Sequence, residues 1–198
     1  MSMSLNGQDP RIIRTRHLLQ SALLELMREK PFQSISVSDI TKRATLNRST
    51  FYLHYLDKFD LLAQTARDTF SATINGTLPG TENFRLENIR HLTSATYEYL
   101  DTFLNECSPA NKPYEPLIEA ELQRVLYDYI FGWLSGLDEG SPDRPPIETM
   151  AVVVSASVLA MSLKSSRGEV NYALDEVVEQ VYAVVTQGIV HAFPATQT

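Results

Sequence analysis

Apolar residues in this chain recur every three or four positions and never alternate with period two for long enough to make a strand. The pattern predicts an all-α fold. Breaker residues set the helix limits. Asp9-Pro10 opens the first helix, since proline is tolerated at a helix start; Leu19, Ala22, Leu23 and Leu26 form its apolar stripe, and Pro31 stops it. Residues 32–35 are a short connector. Ser36, with Asp39 three residues on, is a capping-box variant that starts a second helix running to about Ala44. Asn47 is placed to cap a third helix through Tyr55, and Asp57 a fourth continuing to about Asn75-Gly76. A linker, Thr77-Leu78-Pro79-Gly80-Thr81, closes this first part. Beyond it, Phe84–Cys107, Leu117–Leu137, Ile147–Lys164 and Tyr172–Phe193 read as helices separated by proline- or glycine-bearing loops.

The 198 residues are 43% hydrophobic and 21% charged, enough for a packed core under an ordinary soluble surface. A single cysteine, Cys107, excludes a disulfide framework and a CxxC-type zinc site. The longest near-apolar run, Met150–Leu163, is interrupted by Ser155, Ser157 and Ser162 and falls short of the ~20 residues a membrane span needs, so no membrane partner is expected. The start, MSMSLNGQDPR, lacks the apolar core of a secretion signal, and the expected compartment is cytoplasmic. Net charge is −7, but it is divided unevenly. Residues 1–60 hold nine Lys/Arg against six Asp/Glu, whereas residues 61–198 hold eight against eighteen. A basic first third on an acidic remainder suggests two tasks, one of them involving phosphates.

The informative stretch runs from Ile35 to Lys58. Val37, Ile40 and Ala44 face inward on a short helix; Thr45-Leu46 make a tight turn; a second short helix follows. Two short helices joined by such a turn form a helix-turn-helix, here about residues 36–55, whose second helix enters the major groove of DNA. Phe51 and Tyr55, four apart, face the core and leave Arg48, Ser49, Tyr52 and Leu53 outward. These are the residue types that groove reading uses. Arg48 can fork onto guanine O6 and N7, Ser49 and the Tyr52 hydroxyl can reach base edges or backbone, and Leu53 can pack on a thymine methyl. Thr50, His54 and Lys58 are placed for phosphates, as is Arg14 on the first helix with Arg11 and Arg16 near it. Ser36, at the start of the first helix of the motif, joins this phosphate set.

The stretch resembles the DNA-binding domain of the TetR family of bacterial transcriptional regulators. The matching residues are Ile35-Ser36-Val37 with Asp39-Ile40, Ala44, Ser49-Thr50-Phe51-Tyr52, His54-Tyr55, Asp57-Lys58 and Leu61-Leu62. Thr45 departs from the pattern, standing where the family usually has glycine, and a β-branched residue is awkward at positive φ. The resemblance implies a DNA-binding domain over residues 11–71 and a helical effector-binding and dimerisation domain over 72–198. It further implies a homodimer on a palindromic double-stranded DNA operator, paired through the last two helices (about 147–164 and 172–193). In the family a small-molecule effector in the larger domain shifts the fourth helix and releases a repressor. The alternative keeps the fold but makes the chain an activator or a protein-binding coregulator without an effector. The near-continuous apolar surface of Met150–Leu163 supports pairing independently, because one face must be covered from outside or lie in a deep core.

Among the aromatics of the second part, Tyr97, Phe103, Tyr127 and Trp133 are candidates to line an effector pocket, which would be mostly apolar. Neither His91 nor His191 has a histidine or acid four residues on, and Cys107 has no neighbouring cation to stabilise a thiolate. No glycine-rich phosphate loop, nucleophile–base arrangement or metal signature occurs. No catalytic residue, metal or cofactor is therefore expected, and the reading is not an enzyme.

Overall fold

The computed structural model describes residues 9–78, 85–106, 109–137 and 145–192. Among these the chain forms eight α-helices, two 3-10 turns and no strand. The helices are α1 (Pro10–Glu29), α2 (Val37–Arg43), α3 (Arg48–His54), α4 (Lys58–Thr77), α5 (Glu87–Glu106), α6 (Glu115–Ser135), α7 (Ile147–Ser166) and α8 (Leu174–Ala192). The 3-10 turns are Phe32–Ser34 and Pro109–Tyr114. Every helix expected from spacing is present, with ends shifted by a few residues. Cys107, Pro79-Gly80-Thr81 and Phe193 lie outside the described residues, as does the His191 side chain.

The chain divides into two compact units, Met1–Ala66 with Glu106–Ile118, and Arg67–Asn105 with Glu119–Thr198. The resemblance implies a division near residue 71; by its contacts Glu106–Ile118 groups with the first unit. The cause is local: Asn111 accepts a hydrogen bond from the Phe32 amide at 2.8 Å, and the Tyr114 ring meets Phe32 edge-on at 4.7 Å.

The first unit has a core of large side chains less than 2% exposed: Leu19, Leu23 and Met27 from α1, Phe32, Ile35, Ile40, Phe51, and Leu61 with Leu62 from α4. Capping defines its short helices. Asp9 accepts from the Arg11 amide at the head of α1, and Asp57 accepts from the Phe59 and Asp60 amides at the head of α4. At α2 the capping box closes in both directions between Ser36 and Asp39. Asn47, by contrast, caps α3 without a side-chain hydrogen bond. Arg43 ties α2 to α1 through Glu25 and Glu29.

α2 ends in a turn where the Thr45 amide donates to Lys42 O and the Leu46 amide to Thr41 O, with Thr45 at φ +56°. This is the glycine-type helix stop, which places its first non-helical residue in the left-handed region. The same turn ends α7, where the Gly168 amide donates to Ser165 O and the Glu169 amide to Lys164 O, with Gly168 at φ +67°. Of these two stops, only the one at α2 has a β-branched residue in that place.

In the second unit α7 packs on α8. Across the unit, Arg90 on α5 forks onto both carboxylate oxygens of Glu179 on α8 at 2.7 and 2.8 Å, and its guanidinium lies 3.3 Å over the Tyr182 ring. Arg67 likewise holds Glu121, and Arg167 bonds Glu119. α7 is buried along Ala151, Val154, Val158 and Ser162, yet leaves Val152 and Val153 more than half exposed. By length and composition α7 is the one helix among the described residues that could cross a membrane, longer than the run the sequence suggested. Much of it instead packs within its own unit.

Thr45→Gly is expected to stabilise the fold. A left-handed non-glycine residue costs about 1–2 kcal/mol, and glycine returns about 0.5–1 kcal/mol of that through the unfolded chain. A net gain of about 0.5–1 kcal/mol should raise the urea midpoint at unchanged slope. An unchanged or lower midpoint would show that the Thr45 side chain compensates its own backbone.

Candidate nucleic-acid interface

α3 has seven residues, too few to hold its shape alone, so its pose is set by what it buries. Phe51 is fully buried and Tyr55 nearly so, with rings 5.8 Å apart. Arg48, Ser49, Tyr52 and Leu53 occupy the opposite, exposed side, with Tyr52 at 53% and Leu53 at 79% exposure. The Tyr52 ring stands edge-on to Phe51 at 5.3 Å, which fixes its direction while the hydroxyl end remains accessible. Leu56, just past the helix, is 85% exposed. An outward strip that mixes a guanidinium, two hydroxyls and a branched apolar side chain offers one group for each feature a major groove displays.

The phosphate set divides. Arg14 is exposed, and Thr50 and His54 are half-buried at the flank of α3. Burial first, then the charge of Arg16, pushes the His54 imidazole below its ordinary pKa, which favours its neutral, hydrogen-bonding form. Ser36 is committed elsewhere: its amide and its hydroxyl both donate to Asp39 Oδ2, leaving no donor for a phosphate oxygen. These bonds, with Lys30 at 3.0 Å, hold the Asp39 carboxyl well below the usual carboxylate range.

Lys58 is also withdrawn. Its ammonium donates to Phe32 O at 3.0 Å, Gln33 O at 3.0 Å and Ile35 O at 2.8 Å, so each of its three protons has an acceptor within the unit. The same group lies 4.7 Å over the Phe32 ring and 5.6 Å over Phe59. Burial pushes its pKa down without a countering carboxylate. These bonds make Lys58 a cross-link between the start of α4 and the carbonyls that lead into α2.

A cation not singled out from the sequence stands free of internal partners among the described residues. Lys42 is exposed in the last turn of α2 and, like Arg11, Arg14 and Arg48, has no side-chain partner among the described residues. Of the nine Lys/Arg in residues 1–60, Arg16, Arg28, Lys30, Arg43 and Lys58 are engaged internally. The remaining four stand at the head of α1 and on the two helices of the motif. Only the pairing of the others, invisible in the sequence, separates Lys42 from them.

In the second unit the aromatic candidates are distributed along α5 and α6. Phe103 stacks on Tyr99, Tyr127 on Phe131, and Trp133 tilts against Tyr129, while Tyr97 is half-buried. A groove of about 220 Å³ lies instead between α7 and α8, lined by Pro145, Met150, Val153, Val184, Val185 and Gly188 among others; none of the four candidates borders it.

Comparison with known proteins bears on the same stretch. The family profile "Bacterial regulatory proteins, tetR family" matches residues 19–65. An uncharacterized HTH-type transcriptional regulator, YxbF of Bacillus subtilis (strain 168), is 46% identical over 55 residues, covering 27% of this chain and 14% of that protein. The HTH-type dhaKLM operon transcriptional activator DhaS of Lactococcus lactis subsp. lactis (strain IL1403) is 27% identical over 119 residues, 59% of this chain and 61% of its own length. This chain therefore spans less than two thirds of either relative. Among solved structures, DhaS has a TM-score of 0.58 at 22% identity, covering 91% of this chain and 99% of that one. The Thermus thermophilus repressor FadR, in complex with lauroyl-CoA, has a TM-score of 0.55 at 20% identity, covering 88% and 94%. The two structures share the fold.

Lys58→Met and Lys42→Ala should separate cross-link from contact. Removing a charged group that bonds three carbonyls costs about 1.5–3 kcal/mol, so Lys58→Met should lower the unfolding midpoint. It should leave the salt dependence of duplex binding as in the parent. Lys42→Ala should leave stability unchanged and reduce the logarithmic salt slope by about one per protomer. The reverse pattern would return Lys58 to the interface.

Proposed function

As a member of the tetR family of bacterial regulatory proteins, this chain is, we propose, a dimeric, sequence-specific DNA-binding regulator of transcription, a repressor released from a palindromic operator by a small-molecule effector. The observation that carries the reading is the two-sidedness of α3: Phe51 and Tyr55 buried, Arg48, Ser49, Tyr52 and Leu53 presented. Arg48 and Tyr52 read base edges, Leu53 packs on thymine methyls, and Arg14, Thr50 and His54, joined by Lys42, set the register on phosphates. Two copies of α3 about 34–36 Å apart would meet successive turns of one duplex face.

The second copy is placed against α7 and α8. Val152, Val153 and Val184 are 51%, 58% and 74% exposed, and the α7–α8 groove is open and apolar. An isologous pairing would bury the same patch from both protomers. The effector part of the reading is supported by FadR, whose structure contains lauroyl-CoA. Tyr97, Phe103, Tyr127 and Trp133 remain the candidate lining. A second reading, in which the chain activates rather than represses, is favoured by the resemblance to DhaS, named as an activator.

Selection of duplexes from random DNA by the intact protein is expected to enrich an inverted repeat. Tyr52→Ala should abolish that enrichment while gel filtration still reports a dimer; loss of the dimer would mean that Tyr52 is not on the groove face. Arg11, Arg14 and Lys42, without side-chain partners among the described residues, release about six counterions per dimer, for a slope of log affinity against log salt of about −5. A nearly flat salt response would remove the phosphate contacts from the reading.

A further inference from the structure

Phe32 is gripped from two directions. Its carbonyl accepts from Lys58, and its amide donates to Asn111 Oδ1 at 2.8 Å, a contact between residues 79 apart in sequence. Asn111 is only 4% exposed, and its Nδ2 has no hydrogen-bond partner among the described residues. An unsatisfied buried amide is unfavourable, so Asn111 is not there for its own solvation. Its contribution is one acceptor, aimed at one backbone donor. The Tyr114 ring, 4.7 Å from Phe32 and 6.0 Å from Phe59, closes the same cluster.

Phe32 matters because it stands directly upstream of the motif. The turn Phe32–Ser34 leads through Ile35 to Ser36, the cap of α2, and Lys58 bonds the carbonyls of Phe32, Gln33 and Ile35 together. Any displacement of Phe32 is thus passed to the head of α2, and α2 packs directly on α3. Asn111 itself belongs to neither helix of the motif. It sits in the 3-10 turn Pro109–Tyr114, which the chain inserts between α5 and α6.

We propose that Asn111 is a positioning residue for the DNA-reading helices: through the Phe32 amide it sets the pose of α2 and α3, and it makes that pose depend on the segment between α5 and α6. The inference rests on the DNA-binding function proposed for this chain, and it extends that function by assigning a determinant of affinity outside the helix-turn-helix. Asn111→Leu keeps the size and removes the acceptor. Asn111→Asp keeps an acceptor oxygen in the same place.

The test uses the intact protein and the duplex enriched from random DNA. Asn111→Leu should lose about tenfold in affinity for that duplex, and amide hydrogen exchange should quicken across residues 32–54 while α7 and α8 keep their protection. Asn111→Asp, which keeps the acceptor but buries a carboxylate, should recover part of both, which a general packing defect would not allow. If Asn111→Leu does not fold, Tyr114→Leu tests the same grip and should give the same localised pattern. Unchanged affinity and unchanged exchange at residues 32–54 in the folded variant would overturn the proposal. If the parent protein enriches no duplex, the regulator reading falls by itself. The exchange pattern then decides alone: localised quickening keeps Asn111 as the positioning group, and its absence removes it.

Discussion

A seven-residue helix cannot sustain its own hydrogen-bond ladder in water, so everything asked of α3 depends on its anchorage. Phe51 and Tyr55 supply that anchorage by filling the first unit's core, and burial of each side chain contributes about 1.5–3 kcal/mol. Because they lie four residues apart on one face, the opposite face is turned outward as a consequence of packing. The exposed strip is therefore held by side chains that take no part in recognition. Tyr52 combines both: its ring edge rests on Phe51 and its hydroxyl end is left for a partner.

Charge is allocated by the same logic. Arg43 crosses between α1 and α2, Lys30 reinforces the capping box, and Lys58 binds the carbonyls that precede α2. Exposed ion pairs such as those of Arg43 and Lys30 contribute little to stability individually, but together with the Lys58 cross-link they remove cations from the pool a polyanion could meet. The cations left over are a small set at the head of α1 and on α2 and α3. The overall balance of −7 is thus compatible with a phosphate-binding face, since long-range repulsion from the acidic part is screened beyond about 8 Å at physiological ionic strength.

The helices were legible in the sequence because their signals are local. A capping box, an Asp at a helix head and a proline stop each act within four residues, and Ser36, Asp57 and Pro31 all behave as their chemistry dictates. The outward face of α3 was legible for the same reason, through the spacing of Phe51 and Tyr55. The strained turn could be anticipated too: Thr45 stands at a position whose geometry favours glycine, and its φ is +56°. Long-range polar commitments escaped. Lys58 looks like any basic residue at a helix start until the carbonyls of residues 32–35 are folded beneath it, and Asn111 looks like a loop residue until Phe32 arrives 79 positions away. Such contacts leave no periodicity and no motif.

The two exposed faces differ in chemistry, and the difference bears on how recognition by so short a helix becomes strong enough to matter. The α3 strip carries charge and hydroxyls beside Leu53, whereas the α7–α8 face presents Val152, Val153 and Val184 with little polar relief. An apolar face of that kind is stabilised by another apolar face, and two-fold symmetry counts each valine twice. A single α3 offers few base contacts, each worth about 1–3 kcal/mol of discrimination. Joining two copies makes the second engagement intramolecular, with an effective concentration set by the spacing of the reading helices. In the proposed dimer the valines of α7 and α8 would therefore contribute to operator affinity without approaching the DNA, and anything that altered the spacing would weaken binding while leaving every base contact chemically intact.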